Sequence, residues 1–388
     1  MDLGFIILIP LIFLSIACNL YLKYKKIETD ISKDLFAGFN YLLNKQTHEA
    51  ESIFKKISHI DKYSFETYLA LGNLYRHEGK LDQAILVHES IISKKTLKQD
   101  FRYNALIELA TDYLHSGILD KAENIFIEMQ SVKKYRRRSL ESLLNIYQKL
   151  SDWPQAIKTA NKLDSASKSN MNFETVHFYC EIIDNNLKQK NFKQALLNIK
   201  SAQAIDKTHI RLNLVLISYY IDVGCIDLAI ENIIELVATD PAYILVTHQQ
   251  LYYCYNIEEK QEEFFSYVIS ILLKASNFNV IIKTLLFINS HSYYNEDVRA
   301  LLIKVISNDS MPKSVANLVN IKDMKEKYDS SYYNDVLNVL DIVCCSSYSY
   351  KCSSCGFNSN SIYWLCPGCL TWGNRASIPI SVIKQSNC

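Results

Sequence analysis

Four cysteines near the end of the chain have the spacing that most directly indicates chemistry. They form two Cys-x2-Cys pairs, Cys352 with Cys355 and Cys366 with Cys369, and ten residues separate the pairs. Each pair can present two thiolates from one turn, and two such turns complete a tetrahedron around a soft cation. Gly356 follows the first pair, where a tight turn favours a residue that tolerates positive φ. The pattern predicts a tetrathiolate site for one iron or zinc ion, because both metals accept four thiolates.

Unpaired buried thiols and disulfides are the competing interpretations of these four residues. The chain has eleven cysteines, an odd number, and the other seven follow no regular framework. A secreted protein built on disulfides would show such a framework, so we expect a reducing compartment. Cys344 and Cys345 lie close enough in sequence to compete as ligands. The seven are Cys18, Cys180, Cys225, Cys254, Cys344, Cys345 and Cys388.

The first 22 residues are expected to anchor the chain in a membrane. Residues 3–22 carry no charge, and as a helix they would span about 30 Å, the thickness of a bilayer's hydrocarbon core. Asp2 precedes this segment and three lysines follow it within four residues, so the positive-inside rule places the rest of the chain in the cytoplasm. A cleaved signal peptide, or a lipoprotein signal ending at Cys18, would need a basic leader that is missing.

Composition restricts the fold and the partners of the remaining chain. The net charge is +1, which gives no long-range field to attract polyanions, so nucleic acid is not an expected partner. Only nine glycines and six prolines occur in 388 residues, too few for the turns of an all-β protein. We therefore expect an all-α fold.

The sequence shows none of the common catalytic motifs, which predicts that the chain is not an enzyme. It contains no phosphate-binding glycine loop, no His-Glu-x-x-His and no Gly-x-Ser-x-Gly, and its nine histidines are scattered. No catalytic residue is proposed. The basic run at residues 133–138 could meet anionic lipid or an acidic partner, although a solvated connection between two repeats is the favoured interpretation.

Internal repetition predicts a tetratricopeptide-type α-solenoid. Small residues recur with spacings of 34, 38, 34, 39 and 34, and a period of 34 is typical of that repeat. About thirteen residues before an aligned small residue, an apolar residue recurs that is followed four positions later by tyrosine, as in Leu71 and Tyr75. Small residues are expected where the two helices of a unit cross closely. The recurring small residues are Ala50, Ala84, Ala122, Ala156, Ala195 and Ala229.

Turn residues repeat in phase with the alanines. Gly79, Gly117 and Gly224 each lie five residues before an aligned alanine, where a helix C-cap is expected. Clear repeats are predicted over residues 31–241, followed by degenerate helices over 242–339. Within the latter, residues 261–274 and 279–288 have the periodicity of apolar-faced helices, and a final helix is expected near 328–338. The predicted domains are thus an anchor (1–22), a helical array (23–339) and a metal-binding module (340–388).

This order of parts resembles the lipopolysaccharide assembly protein B family of Gram-negative bacteria, over essentially the whole chain. The most specific stretch runs from Tyr350 to Phe357 and from Tyr363 to Cys369, with Trp372 just beyond, and is similar to the rubredoxin-like ribbon of that family. By that resemblance the four cysteines are the metal ligands.

The resemblance implies a cytoplasmic adaptor held at the bacterial inner membrane that regulates lipopolysaccharide synthesis. It would promote turnover of the committed lipid A deacetylase by a membrane AAA+ protease of the FtsH type, and it would organise synthetic enzymes. Partner-binding residues cannot be transferred, because the middle repeats diverge. A redox-active rubredoxin-type iron protein and a general membrane-tethered assembly scaffold are the alternatives. A nucleic-acid zinc module is disfavoured, because only Lys351, Arg375 and Lys384 supply positive charge near the cysteines.

One structural expectation concerns the ribbon. So small a module has more aromatic surface than it can bury alone, which predicts that it docks against the helical array. The aromatic residues in question are Phe357, Tyr363, Trp364 and Trp372.

Overall fold

The computed structural model describes residues 62–94, 97–167, 170–275, 278–291, 296–306, 350–359 and 362–373, together with a few isolated positions. The final helix expected near 328–338, Cys344, Cys345, Cys388 and nearly all of the segment 1–22 lie outside these residues. Within the part of the chain that is described, no helix is long and apolar enough to cross a membrane.

Fourteen helices and one two-stranded sheet form within the described residues. A 3₁₀ turn at Pro241–Tyr243 precedes the eleventh helix. The helices are α1 (Lys62–His77), α2 (Leu81–Ile92), α3 (Gln99–His115), α4 (Leu119–Met129), α5 (Arg136–Leu150), α6 (Trp153–Ser167), α7 (Asn172–Lys188), α8 (Phe192–Ile205), α9 (Ile210–Val223), α10 (Ile226–Thr239), α11 (Ile244–Ile257), α12 (Gln261–Lys274), α13 (Phe278–Ser290) and α14 (Glu296–Ile306); the strands are β1 (Tyr350–Lys351) and β2 (Asn358–Ser359).

Consecutive helices pair through very short turns, as the repeat pattern predicts. Connections of three residues join α1 to α2, α3 to α4 and α7 to α8, and connections of two residues join α5 to α6 and α9 to α10. Helices joined so closely pack side by side. Gly79, Gly117 and Gly224 occupy three of these turns with φ between 75° and 83°, which confirms their predicted role as C-caps. Ser151 and Lys190 adopt a similar φ of 56–57° at the matching positions of two other turns.

The aligned alanines lie where the paired helices pack. Ala84, Ala122, Ala156, Ala195 and Ala229 are all fully buried, whereas Ala50 lies outside the described residues. A larger side chain at these positions would separate the two helices of a pair. The packing explanation for the repeat is therefore confirmed for the five alanines that the structure describes.

Residues 242–275 form a helix pair built like the preceding ones. Glu259 has φ of 57° in the turn between α11 and α12, and Phe264, five residues later, is fully buried at the position of the aligned alanines. The sequence pattern did not identify this pair, because a phenylalanine replaces the small residue and a glutamate replaces the turn glycine. The helix predicted at 261–274 has the expected bounds, and the one predicted at 279–288 lies within α13.

The chain separates into two compact units, Met1–Ser169 and Asn170–Cys388. In the first, α1 contacts α3 in addition to its partner α2. In the second, α7 contacts α9 and α9 contacts α11, so the first helices of successive pairs share one side of the unit. This second unit has one apolar cluster from α7 to α9 and another from α9 to α14. The two strands and the four cysteines of the Cys-x2-Cys pairs also belong to the second unit.

Candidate metal centre and its contact with the helices

Two turns of matching geometry position the four cysteines. The Gly356 amide donates to the Cys352 carbonyl at 2.9 Å, and the Leu370 amide donates to the Cys366 carbonyl at 2.8 Å. The residue that closes each turn has positive φ, 78° at Gly356 and 56° at Leu370. The sequence indicated the first of these positions through its glycine. The second carries a leucine in a conformation that non-glycine residues adopt at a cost.

Short β-pairs support both turns. β1 pairs antiparallel with β2 around the first turn, and Leu365 bridges to Trp372 around the second. The Gly373 amide also donates to the Trp364 carbonyl at 2.6 Å. We call residues 350–373 the ribbon.

The four cysteine sulfurs converge in a geometry suited to one ion. Cys352 Sγ lies 3.7 Å from Cys369 Sγ, and Cys355 Sγ lies 3.7 Å from Cys366 Sγ. All four sulfurs lie within 4.8 Å of one another. A tetrahedron with metal–sulfur bonds of about 2.3 Å has sulfur–sulfur edges of about 3.8 Å. The four residues therefore form a tetrathiolate-like site, and the arrangement accepts iron or zinc equally.

The protonation of the cysteines shows why a cation suits this cluster. Backbone hydrogen bonds from Cys355 and Ser354 lower the pKa of the Cys352 thiol to about 6, and the Thr371 hydroxyl, 2.9 Å from Cys369 Sγ, lowers the pKa of that thiol. The Phe357 amide favours the Cys355 thiolate, yet burial and the neighbouring sulfurs raise its pKa to about 12. Two thiolates form readily while a third is opposed by their charge, and a bound cation removes that opposition.

The ribbon packs on the first helices of two successive pairs. The Trp372 ring stacks on His177 of α7, with ring centroids 4.8 Å apart and an interplanar angle of 24°, and its edge meets Phe178 at 5.7 Å. Trp364 lies 5.9 Å from the same imidazole. His177 and Phe178 are buried, so the contact belongs to the interior of the second unit. The docking expectation is confirmed for these two tryptophans.

Arg211 of α9 links the ribbon to acidic residues of α7. Its guanidinium carbon lies 5.7 Å from the Trp364 ring centre and 5.8 Å from that of Trp372. The same guanidinium donates to Glu181 at 2.7 Å and to Asp184 at 3.3 Å. Because Arg211 is only 4% exposed, these contacts replace the water that a surface arginine would keep.

The other two aromatic residues of the ribbon remain partly exposed. Phe357 is 40% exposed and Tyr363 is 55% exposed, and they contact each other with ring centroids 6.3 Å apart. The small ribbon therefore attaches through one side, while these two rings stay partly in solvent.

The polar residues beneath the ribbon were not identified from the sequence, although a signal was present. His177 and Arg211 are 34 residues apart and each lies 18 residues before an aligned alanine. In the two preceding repeats, Asn104 and Arg138 occupy the same position, 18 residues before Ala122 and Ala156. A polar side chain recurring at one position of the first helices indicates a face that another part of the molecule or a partner covers.

In the first unit, a buried ion cluster occupies the corresponding first helices. Arg76 of α1 donates to Glu108 at 2.5 Å and to Asp112 at 2.7 Å, and Asp112 also meets His88 Nδ1 at 2.5 Å. Arg138, the last residue of the basic run, donates to Glu108 at 2.7 Å. The run itself lies at the connection from α4 to α5, as its favoured interpretation predicts.

Comparisons with known proteins agree with this architecture. A family model described as the rubredoxin metal binding domain matches residues 350–374. The chain is 26% identical over 345 residues to lipopolysaccharide assembly protein B of Escherichia coli strain K12, covering 88% of each chain. It is 25% identical over 386 residues to the protein of the same name from Haemophilus influenzae, covering 89% of each. The resemblance to this family is therefore confirmed.

Among solved structures, a tetratricopeptide repeat protein of Parabacteroides merdae is 16% identical, with a TM-score of 0.33, and covers 68% of this chain and all of its own. The Naa15/Naa10 complex bound to HypK is 15% identical, with a TM-score of 0.49, covering 79% of this chain and 45% of the matched chain. The helix pairs of the present chain establish its repeat architecture independently of these weak likenesses.

Proposed function

We propose that this protein is a scaffold that regulates lipopolysaccharide assembly. The observation that carries the proposal is the similarity over 88% of both chains to a relative named for that process, because the matched length is too great for the ribbon alone. Paired helices stacked along one unit provide the extended surface on which repeat proteins bind partners. We propose protein partners rather than nucleic acid.

The proposed scaffold works at the inner membrane and faces the cytoplasm. The uncharged segment 3–22 and the lysines after it support a single-pass anchor at residues 1–22. An anchor raises the effective concentration of membrane-bound partners around the array. A chain beginning at residue 23 should leave the membrane fraction upon cell fractionation, and continued sedimentation of this chain with the membranes would contradict the anchor.

The proposed regulatory action is adaptor-assisted proteolysis. The chain would bring the committed lipid A deacetylase to an FtsH-type membrane protease and would organise synthetic enzymes nearby. Support comes from the family resemblance together with a repeat architecture suited to binding two proteins. Depletion of the protein in its host, followed by quantitative proteomics, should lengthen the half-life of the deacetylase. An unchanged half-life would contradict this action while leaving the scaffold proposal intact.

We also propose that Cys352, Cys355, Cys366 and Cys369 bind one zinc or iron ion in a structural role. The 3.7 Å sulfur–sulfur distances support the ligand set. The tryptophan contacts support a structural role, because a metal-folded ribbon is what presents those rings to α7 and α9. Elemental analysis of the purified chain should find one ion per molecule, and a colourless protein would indicate zinc.

A matched pair of cysteine variants tests whether the ion supports the function. Cys366→Ser removes one sulfur of the cluster, whereas Cys254→Ser changes a buried cysteine of α11 that lies outside it. In depleted cells, the wild-type chain and Cys254→Ser should restore deacetylase turnover, while Cys366→Ser should lose both the ion and that restoration. Full restoration by a metal-free Cys366→Ser chain would show that the ion is dispensable.

A further inference from the structure

A cavity of about 360 Å³ lies where the ribbon meets the first turns of α7 and α9. The ribbon contributes Trp364 and Gly373 to its wall, α7 contributes Phe173 and His177, and His209 lies immediately before α9. We call this space the junction cavity. Its volume exceeds that of a simple ion and falls at the lower end of the range of small-molecule sites.

The junction cavity is lined by buried histidines with unused hydrogen-bonding capacity. His209 is 6% exposed, and both of its ring nitrogens lack a hydrogen-bond partner among the described residues. His177 is 1% exposed, and its Nδ1 lies 3.4 Å from the Arg211 guanidinium, which only donates, so the proton belongs on Nε2. Nε2 lies near the Gly373 backbone but makes no hydrogen bond of normal geometry within the described chain. Such groups are costly to bury without a partner.

The start of α9 adds positive potential to the junction cavity, opposed by the charge of Asp206 in its wall. His209 is its N-cap residue and makes no side-chain capping hydrogen bond, and the first turn contains no acidic residue. Free amides at a helix N-terminus bind anions. The carboxylate in the wall, Asp206, already accepts from the Thr208 amide at 2.9 Å and from its hydroxyl at 2.7 Å. The start of α7 differs, because Glu174 lies in its first turn.

We propose that the junction cavity binds a small organic anion with a phosphate or carboxylate head group. The imidazole N–H groups of His209 and His177 and the first amides of α9 would donate to the head group. The rings of Phe173 and Trp364 would pack against the body of the ligand. This binding site is independent of the proposed role in lipopolysaccharide assembly.

The protonation of the two histidines is consistent with donation to an anion. Burial, followed by the charges of His209 and Arg211, lowers the pKa of His177 to about 2. Burial lowers the pKa of His209 to about 4, against the opposing charge of Asp206. Both rings are therefore neutral at pH 7, and each has one N–H to donate. Hydrogen bonds from neutral groups and helix amides can hold an oxyanion without a paired cation.

Because the ribbon forms one wall of the junction cavity, ligand binding would also stabilise the docked ribbon. A ligand that binds only the docked state shifts the equilibrium toward it by mass action. The bound anion should therefore slow the loss of metal from the ribbon to a chelator. The site would in this way connect a cellular small molecule to the integrity of the ribbon.

The test uses the metal-loaded full chain in detergent, with titration of phenyl phosphate, benzoate or phenol. Calorimetry and tryptophan fluorescence report binding, since Trp364 lines the junction cavity. We expect at least one of the two anions to bind at least tenfold tighter than phenol, and the tighter one identifies the head group. Equal affinity for phenol, or no binding of either anion at millimolar concentration, would overturn the proposal.

Three variants separate donation from folding. His209→Leu removes both ring nitrogens and should weaken anion binding at least tenfold, whereas His209→Gln retains a donor and should stay within about threefold of the wild type. The control is His248→Leu in α11, a histidine whose Nδ1 lies 2.9 Å from the Ile244 carbonyl, outside the junction cavity. Equal affinity in His209→Leu and wild type, with both chains folded, would also overturn the proposal.

Discussion

Replacing Trp372 by alanine should release the ribbon from the helices without changing the cysteine cluster. The contacts of the indole with the array include a stack on His177 with centroids 4.8 Å apart, an edge contact with Phe178 at 5.7 Å, and the Arg211 guanidinium 5.8 Å from its centre. None of the cysteine sulfurs belongs to this set. The substitution therefore tests docking separately from metal binding.

The magnitude follows from these contacts. Truncating a fully buried tryptophan costs roughly 3–5 kcal/mol, and a half-buried ring such as Trp372 should lose about half of that. The stacked imidazole and the cation over the ring add about 1 kcal/mol. A total of about 3 kcal/mol corresponds to a rise of roughly a hundredfold in the population of undocked ribbon.

Hydrogen exchange of the ribbon and the rate of metal transfer to a chelator measure this population in the metal-loaded full chain. Tyr363→Ala is the matched control, since this ring is 55% exposed and meets Phe357 rather than the helices. We expect faster exchange and faster metal transfer in Trp372→Ala and little change in Tyr363→Ala. If both variants keep wild-type protection, the tryptophan contacts do not hold the ribbon and the reasoning fails.

Three further outcomes follow from buried polar groups. Arg211→Met should lower the free energy of unfolding, measured by urea titration, by roughly 2–4 kcal/mol, because two carboxylates of α7 lose their partner. Arg211→Lys should recover only part of the lost stability. The pKa of His177 is about 2 in the folded chain, so below pH 6.5 this histidine takes up a proton in the unfolded chain but stays neutral in the folded one. The free energy of unfolding should therefore fall by about 2 kcal/mol from pH 7 to pH 5. The variant His177→Gln should lack that part of the loss. Gly72→Ala should lower the melting temperature by several degrees, since its methyl group would lie 2.3 Å from His88 Nε2, and an unshifted melt would contradict this packing.

The sequence was sufficient for features that repeat and for ligands at fixed spacing. The aligned alanines, the glycine turns and the convergence of four cysteines each follow from local chemistry, because a close helix crossing and a tight turn restrict the residue type. The pair α11–α12 was predicted only as degenerate helices. Glu259 has the positive φ of the turn glycines and Phe264 has the burial of the aligned alanines, but neither residue type matches the repeat pattern.

Contacts between distant parts of the chain were predicted less completely. The expectation that the ribbon docks on the helices was right, and Trp364 and Trp372 make the contact, because excess apolar surface does indicate burial somewhere. It could not identify which rings would face the array. That choice depends on the side of the ribbon to which the cysteine turns direct each strand. It also depends on His177 and Arg211, which lie more than 150 residues before Trp364.

The polar register explains why ribbon and array depend on each other. Without the ribbon, the stack and cation contacts of Trp372 are lost, and His177 and Arg211 would face solvent at the centre of the α7–α9 surface. With it, an aromatic cover lowers the local polarity, and the arginine is held between two carboxylates and two indoles. If the four cysteines hold an ion, as we propose, its occupancy would determine whether the ribbon presents those indoles. Metal occupancy and the docking of the ribbon on this helical face would then be thermodynamically linked. A ribbon that served only as an independent electron carrier would not require such a polar register in the repeats beneath it.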